Sequence, residues 1–453
     1  MTQVPAANFD ALPPELCLLI ARISAAKSDH KTQDIIRVSS INSRTRNMVV
    51  NTPDLWRKFT LSGSTSSHRL GRLCILRSGN QTLDLLIFLP QSMAQEKRVY
   101  SFLKCFNLAA PRIARLSIRI SHPSSLNIVN SLLSRVELPT LKDFDADYNN
   151  EAHEGLDRCV SLPSRGANLR SISLTGVQTQ PFGQFDLKNL TSLYLGAGQH
   201  WKWMSMSIAS FLPAATSLQE LHFVGERGMF HTYLDDDELD YDSPFTLPAL
   251  RSVGFGNTAP GFISSFLRQV NAPLLEEVDM TAPPRRTYNE EGEEVFTGWL
   301  AAVQLILHNP ALALPAHTLK LRERDVEYDP RNMFMFALFL VVIFPNVSSL
   351  EIEGEFLSIL PICGTLADRQ SQRMPQVWRS IEKLKVHCEF DQDSREEYEE
   401  LLTGNLRSLK EKGVMNLREL RLSPDRWFQS PQGRVNLEAL GKLVGLVILE
   451  DSD

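Results

Sequence analysis

The sequence predicts an α/β solenoid with a parallel sheet on one side, helices on the outer side and a small helical module in front. Three observations predict it. An apolar-x-x-apolar-x-apolar pattern recurs along most of the chain, stretches of helical spacing stand between its copies, and residues 9–60 lack it altogether. At 453 residues the chain is too long for one ordinary core and calls for several domains or a stacked array. Its 43% hydrophobic and 22% charged residues are those of a folded protein.

The clearest copies are Leu169/Ile172/Leu174, Leu190/Leu193/Leu195, Leu218/Leu221/Phe223, Leu250/Val253/Phe255, Leu275/Val278/Met280, Val347/Leu350/Ile352, Ile381/Leu384/Val386 and Leu417/Leu420/Leu422. Weaker ones are Ile113/Leu116/Ile118, Leu141/Phe144/Ala146, Leu319/Leu321 and Leu443/Leu446/Ile448. Their central residues stand 21 to 41 residues apart, often wider than a regular leucine-rich repeat, whose strand core this pattern is. The L-x-L pair puts two apolar side chains on one face of a strand. An upstream Pro or Asn, as in LPALRSVGF and FPNVSSLEI, marks the passage from loop to strand.

Helical spacing appears between strands in Phe262, Ile263, Phe266, Leu267 and Val270, and in Trp299, Leu300, Val303, Ile306 and Leu307. Each strand–helix unit can bury its edges only against its neighbours, so the units must stack. A doubly wound α/β domain also alternates strands and helices, but its strands are near-continuous Val/Ile/Leu runs, not isolated L-x-L pairs. The array is expected over residues 111–453, with 61–110 a connecting segment and capping first repeat. Arg285, Arg286, Glu290, Glu291, Glu293 and Glu294 read as a protruding loop. The apolar run Met333–Phe344 would cover only ~18 Å of a ~30 Å hydrocarbon layer, and reads as a helix buried on nearly all sides.

Residues 9–60 read as two or three short helices. Pro13 and Pro14 suit a first turn, Glu15 suits its positive end, and Leu12, Leu16, Leu19, Ile20 and Ile23 form one apolar stripe. After a polar break at Lys27 to Gln33 a second stripe runs through Ile35, Val38 and Ile41, with Met48 and Val49 on a third helix. So small a module must pack on something else.

This module resembles the F-box family, whose usual form opens L-P-x-E-L and closes T-P-x-L-W. Leu12, Pro13, Glu15 and Leu16 match the opening, and Thr52, Pro53, Leu55 and Trp56 match the close. Arg77 to Leu85 is similar to the segment that succeeds the F-box in many fungal members. Asn42 and Thr45 stand where the family often has Cys and Trp, and the Lys27–Gln33 connection is longer than usual. The resemblance implies that Leu12, Pro13, Glu15, Leu16, Ile20, Ile35 and Val38 bind a Skp-type adaptor, and through it a cullin scaffold. It further implies a non-catalytic subunit that presents an unknown protein substrate to a ubiquitin ligase. The alternative is a leucine-rich-repeat interaction scaffold with no ubiquitin role.

The net charge of −6 disfavours nucleic acid and anionic lipid as main partners. No CxxC pair occurs among the six cysteines, so buried free thiols in a reducing compartment are expected, with no metal. No signal-peptide pattern opens the chain, which is expected to stay inside the cell, cytoplasmic or nuclear. No H-E-x-x-H, G-x-S-x-G or G-x-x-x-x-G-K-[ST] is found, so an enzyme is disfavoured and no cofactor is expected. Gly254, Gly256 and Gly261 read as turn glycines, Asp235 to Asp242 as a solvated acidic loop, and His387 with Cys388 carries no function. The exposed sheet face should comprise the residues flanking each central position: Glu220, His222, Glu277, Asp279, Glu351, Lys383, Lys385, Glu419 and Arg421. It reads acidic in the middle and basic towards the end, and is the expected substrate face.

Overall fold

The computed structural model describes residues 12–27, 31–89, 96–148, 159–160, 168–179, 187–197, 212–225, 244–256, 258, 263, 266–267, 269–281, 314–322, 330–353, 359–360, 362, 381–387, 395–413, 416–423 and 431–449. The chain divides into two compact units, Met1–Leu190 and Thr191–Asp453.

The first unit opens with three helices, α1 (Pro14–Lys27), α2 (Lys31–Ser39) and α3 (Ser43–Val50). A 3-10 turn, Pro53–Trp56, comes next. The α1 start fits its sequence: Pro14 needs no amide partner at the first position, and the Leu16 and Cys17 amides donate to the Pro13 carbonyl. At α3 the Thr45 amide donates to Asn42 Oδ1 at 2.7 Å while the Asn42 amide donates to Thr45 Oγ1 at 3.2 Å. The two residues that depart from the F-box pattern therefore form a reciprocal helix cap, a device that contributes on the order of 1 kcal/mol. Thr32 Oγ1 donates to the Lys58 carbonyl at 3.3 Å, tying α2 to the first strand.

Five parallel strands then pair in chain order: β1 (Lys58–Ser62), β2 (Leu83–Leu89), β3 (Ile113–Ile120), β4 (Asp143–Tyr148) and β5 (Ser171–Thr175). Helices α4 (Thr65–Arg77), α5 (Glu96–Ala109) and α6 (Pro123–Arg135) occupy the first three connections. Phe59, Leu85, Leu116, Phe144 and Ile172 share one buried register row, and Leu61, Ile87, Ile118, Ala146 and Leu174 the next. The stretch 61–110 thus supplies β2, α4 and α5 to the same ladder as the repeat copies. Gly71 lets α4 approach the sheet, because a Cβ there would meet Leu61 Cδ2 at 2.4 Å.

In the second unit nine parallel strands pair in chain order among the described residues: β6 (Ser192–Ala197), β7 (Glu220–Gly225), β8 (Ser252–Gly256), β9 (Glu277–Thr281), β10 (Thr318–Arg322), β11 (Ser349–Glu353), β12 (Lys383–His387), β13 (Glu419–Ser423) and β14 (Leu446–Leu449). Leu193, Leu221, Val253, Val278, Leu319, Leu350, Leu384 and Leu420 align in one buried row. Each full burial of such a side chain stabilises by ~1.5–3 kcal/mol, and stacking makes every repeat contribute to its neighbours' core. A tight turn precedes many strands: the amides of Leu218, Leu250 and Leu275 donate to the carbonyls of Ala215, Leu247 and Ala272, respectively. Helices α7 (Pro330–Ile343), α8 (Arg395–Glu411) and α9 (Pro431–Leu443) lie in later connections. Phe336 through Phe344 is buried throughout, as the apolar run predicted. No helix among the described residues is long and apolar enough to cross a membrane.

Three local expectations are corrected. Val270 does not continue a helix; it pairs with Phe245 in a short parallel bridge, while Ile263, Phe266 and Leu267 are helical and buried. Gly254 and Gly256 are not turn residues but lie inside β8. In the last copy Val447 and Leu449 continue the register rows of Leu420 and Leu422, so Leu446 and Ile448 fall on the other face. A slip of one residue reverses every side chain of a strand. The stretches around Trp299–Leu307, Arg285–Glu294 and Asp235–Asp242, and Gly261 and Cys388, lie outside the described residues.

Candidate functional site

Helix α1 carries two apolar faces. Cys17 and Ala21, one turn apart, are buried, whereas Leu16, Leu19 and Ile23 are 45, 49 and 47% exposed. The small residues face the core because they let α1 approach its neighbours closely, and the large ones are left outside. Of the expected adaptor residues, Pro13, Glu15 and Leu16 are exposed and Leu12, Ile20 and Val38 half-buried. Ile35 is corrected: at 2% exposure it belongs to the core of the module and cannot contribute to an outer surface. Ile36 and Ile41, missed as exposed positions, are open instead. The signal that could have found the outer stripe was the i, i+4 pair of small residues Cys17 and Ala21, which a search for large side chains overlooks.

The module is anchored by Trp56, which is fully buried. The Arg77 guanidinium carbon sits 4.5 Å from the centre of the Trp56 ring, a cation–π contact that ties α4 to the end of the module.

On the exposed sheet face of the second unit, Glu220, Ser252, Glu277, Thr318, Ser349, Lys383 and Glu419 form one register row. His222, Gly254, Asp279, Lys320, Glu351, Lys385 and Arg421 form the next. The rows bring the expected substrate-face residues onto one surface, but the acidic middle is corrected. Lys320 Nζ lies 2.8 Å from Glu277, and Arg322 Nε lies 3.1 Å from Asp279 and 3.9 Å from Glu353. The cations of β10 were overlooked because its repeat copy is weak. Burial, chiefly, holds the Asp279 carboxyl above its ordinary range, with the Arg322 charge opposing it. The Tyr194 and His222 rings stand 6.3 Å apart, and His222 leans over the bare Gly254, where a Cβ would meet its Nδ1 at 2.2 Å.

The exposed sheet face of the first unit is laced with ion pairs too: Lys58–Asp84 at 3.7 Å, Arg115–Asp143 at 3.1 Å, and Arg119 at 3.0 Å from Asp145 and 3.5 Å from Asp147. Applying the flanking rule to the copies at Leu116 and Phe144 would have found Arg115, Asp143 and Asp145. Glu419 and Arg421 form an ion pair within β13.

Cys17, Cys74 and Cys105 are free and buried. Burial pushes the Cys74 thiol up to about 12 and the Cys105 thiol to about 11, so neither is poised as a nucleophile. Among the described residues no three His, Cys, Asp or Glu side chains converge as a metal site. The arrangement offers two surfaces for macromolecules: an apolar helix stripe and a charge-laced sheet face. No protein-family model and no curated protein matches this chain.

Proposed function

We propose that the chain is the substrate-recognition subunit of a Skp/cullin/F-box ubiquitin ligase, working inside the cell. The observation that carries this reading is the outward stripe of Leu16, Leu19 and Ile23 on a helix that, among the described residues, buries Cys17 and Ala21. Large apolar side chains left exposed at one-turn spacing suit a helical partner surface. The stripe sits in the segment whose L-P-x-E-L and T-P-x-L-W matches resemble the F-box. The strands later in the chain present rows of charged residues, which govern partner choice and encounter rate more than affinity. The receptor supplies proximity between target and ligase, and has no active site or cofactor of its own.

The second reading is a leucine-rich-repeat scaffold with no ubiquitin role. It is favoured by Asn42 and Thr45, which use the positions of the family's frequent Cys and Trp to cap α3.

Co-expression with a Skp-type adaptor tests both. Copurification by the wild type, lost in a Leu16→Asp/Leu19→Asp variant that keeps its circular dichroism, supports the receptor. Absence of copurification by the wild type leaves the scaffold.

A further inference from the structure

Helices α4 and α5 of the first unit differ in charge from the sheet face. Helices α4 and α5 together contain six cations, Arg69, Arg72, Arg77, Lys97, Arg98 and Lys104, and one carboxylate, Glu96, in a chain whose net charge is −6. Arg69, Arg72 and Lys104 are exposed and make no ion pair among the described residues. On the sheet face, by contrast, Lys58, Arg115, Arg119, Lys320 and Arg322 each sit on a carboxylate.

Interleaved with these cations are the most exposed large apolar side chains described, Leu76 at 78% and Tyr100 at 70%, together with Leu108 at 52%. Two contacts place the stripes side by side. Arg112, just beyond α5, donates to the Ile75 carbonyl at 2.8 Å and so holds the C-terminal turn of α4 beside that of α5. Nearer the middle, Cys105 Sγ lies 3.8 Å from the His68 carbonyl, and a Cβ on Gly71 would come within 3.2 Å of that sulfur. Arg72 follows Gly71, the residue that faces the Cys105 sulfur.

We infer that the seam between α4 and α5 is a docking groove for an acidic amphipathic helix of a partner protein. Leu76 and Leu108 receive its apolar side, Tyr100 flanks them, and Arg69, Arg72 and Lys104 meet its carboxylates. Charge complementarity commits the occupant to an acidic one, since cations with no ion pair among the described residues would repel a basic segment. Arginine and tyrosine, both exposed here, are enriched at protein interfaces. A membrane-bound helix would instead present a continuous apolar face.

The test uses the full chain and a fluorescent helical peptide with leucine along one face and glutamate along the other. Anisotropy should show binding that weakens with salt, falls at least about tenfold in Arg69→Glu/Arg72→Glu/Lys104→Glu, and falls again in Leu76→Ser/Leu108→Ser. Circular dichroism checks the fold of each variant. Absence of peptide binding by the wild type, equal binding by the charge-reversed variant, or cosedimentation with phosphatidylserine vesicles in place of peptide binding each overturns the proposal. Adaptor copurification reads α1 alone, so the two readings fail independently.

Discussion

The indole N–H of Trp56 donates to the carbonyl of Val49 at 2.8 Å, joining the 3-10 turn to the end of α3. The same carbonyl also accepts the Thr52 amide at 3.3 Å, so removing the indole donor alone leaves it bonded. Trp56→Phe is expected to cost more than the ~0.5–1.5 kcal/mol of the hydrogen bond because the smaller ring leaves part of a fully buried site empty, and Trp56→Ala about 3–5 kcal/mol. Urea unfolding followed by far-ultraviolet circular dichroism distinguishes the two.

Two apolar residues of the N-terminal module should behave oppositely. Ile35→Ala removes a buried side chain and is expected to destabilise by about 2–5 kcal/mol. Leu19→Ala removes a half-exposed one and should leave the unfolding midpoint nearly unchanged while weakening adaptor capture. Paired thermal melts and copurification yields check this.

Gly176 has φ of +64°, and a Cβ there would lie 2.5 Å from the Tyr148 carbonyl oxygen. Both the left-handed backbone and the clash with main chain oppose a side chain, so Gly176→Ala should destabilise by more than ~1 kcal/mol. Gly254→Ala meets first the side chain of the partly exposed His222, which can swing away, and not main chain. A melting-temperature comparison should rank Gly176→Ala well below Gly254→Ala.

Asp147 has its carboxyl held above the ordinary value of 3.8, chiefly by burial, with Arg119 opposing the shift and Asp145 adding to it. In the window just above that ordinary value the folded chain binds more protons than the unfolded one, so stability falls as pH rises through it. Arg119→Gln removes the opposing charge and enlarges the effect. The variant should lose stability relative to wild type at neutral pH and recover part of it towards about pH 4, as urea midpoints across pH would show.

Cys74 and Cys105, with thiols pushed up to about 12 and about 11, should resist alkylation at mildly alkaline pH until the chain unfolds. Mass spectrometry after iodoacetamide treatment, with and without urea, reads the difference.

The ladder was legible because each repeat buries the same L-x-L pair, and the central residues from Leu193 to Leu420 align in one row. The sequence was less legible where that pair is replaced. Lys58–Ser62 and Leu83–Leu89 are strands whose flanks resemble an F-box and its sequel, so their role in the ladder was hidden. At Leu446–Leu449 a run of four apolar residues has no alternation to set its register, and the pairing with Leu420 and Leu422 decided it. At α1 the large apolar stripe was legible as a stripe, whereas the small Cys17 and Ala21, which close packing turns to the core, carried no signal by size. Ion pairs between strands depend on register, which no local window contains, and so Lys320 over Glu277 became visible only in three dimensions.

The cross-strand pairing of charges limits how such an array can be edited. Asp279 and Glu351 occupy the same register row, separated by Lys320. Excising the segment that carries β10 would set those two carboxylates side by side and put Thr281 next to Glu353, the former partner of Arg322. Individual repeats are therefore not interchangeable bricks. Around β10 a viable deletion or duplication must keep each carboxylate beside a cation, so there the unit that can be copied intact is a neighbouring pair of strands.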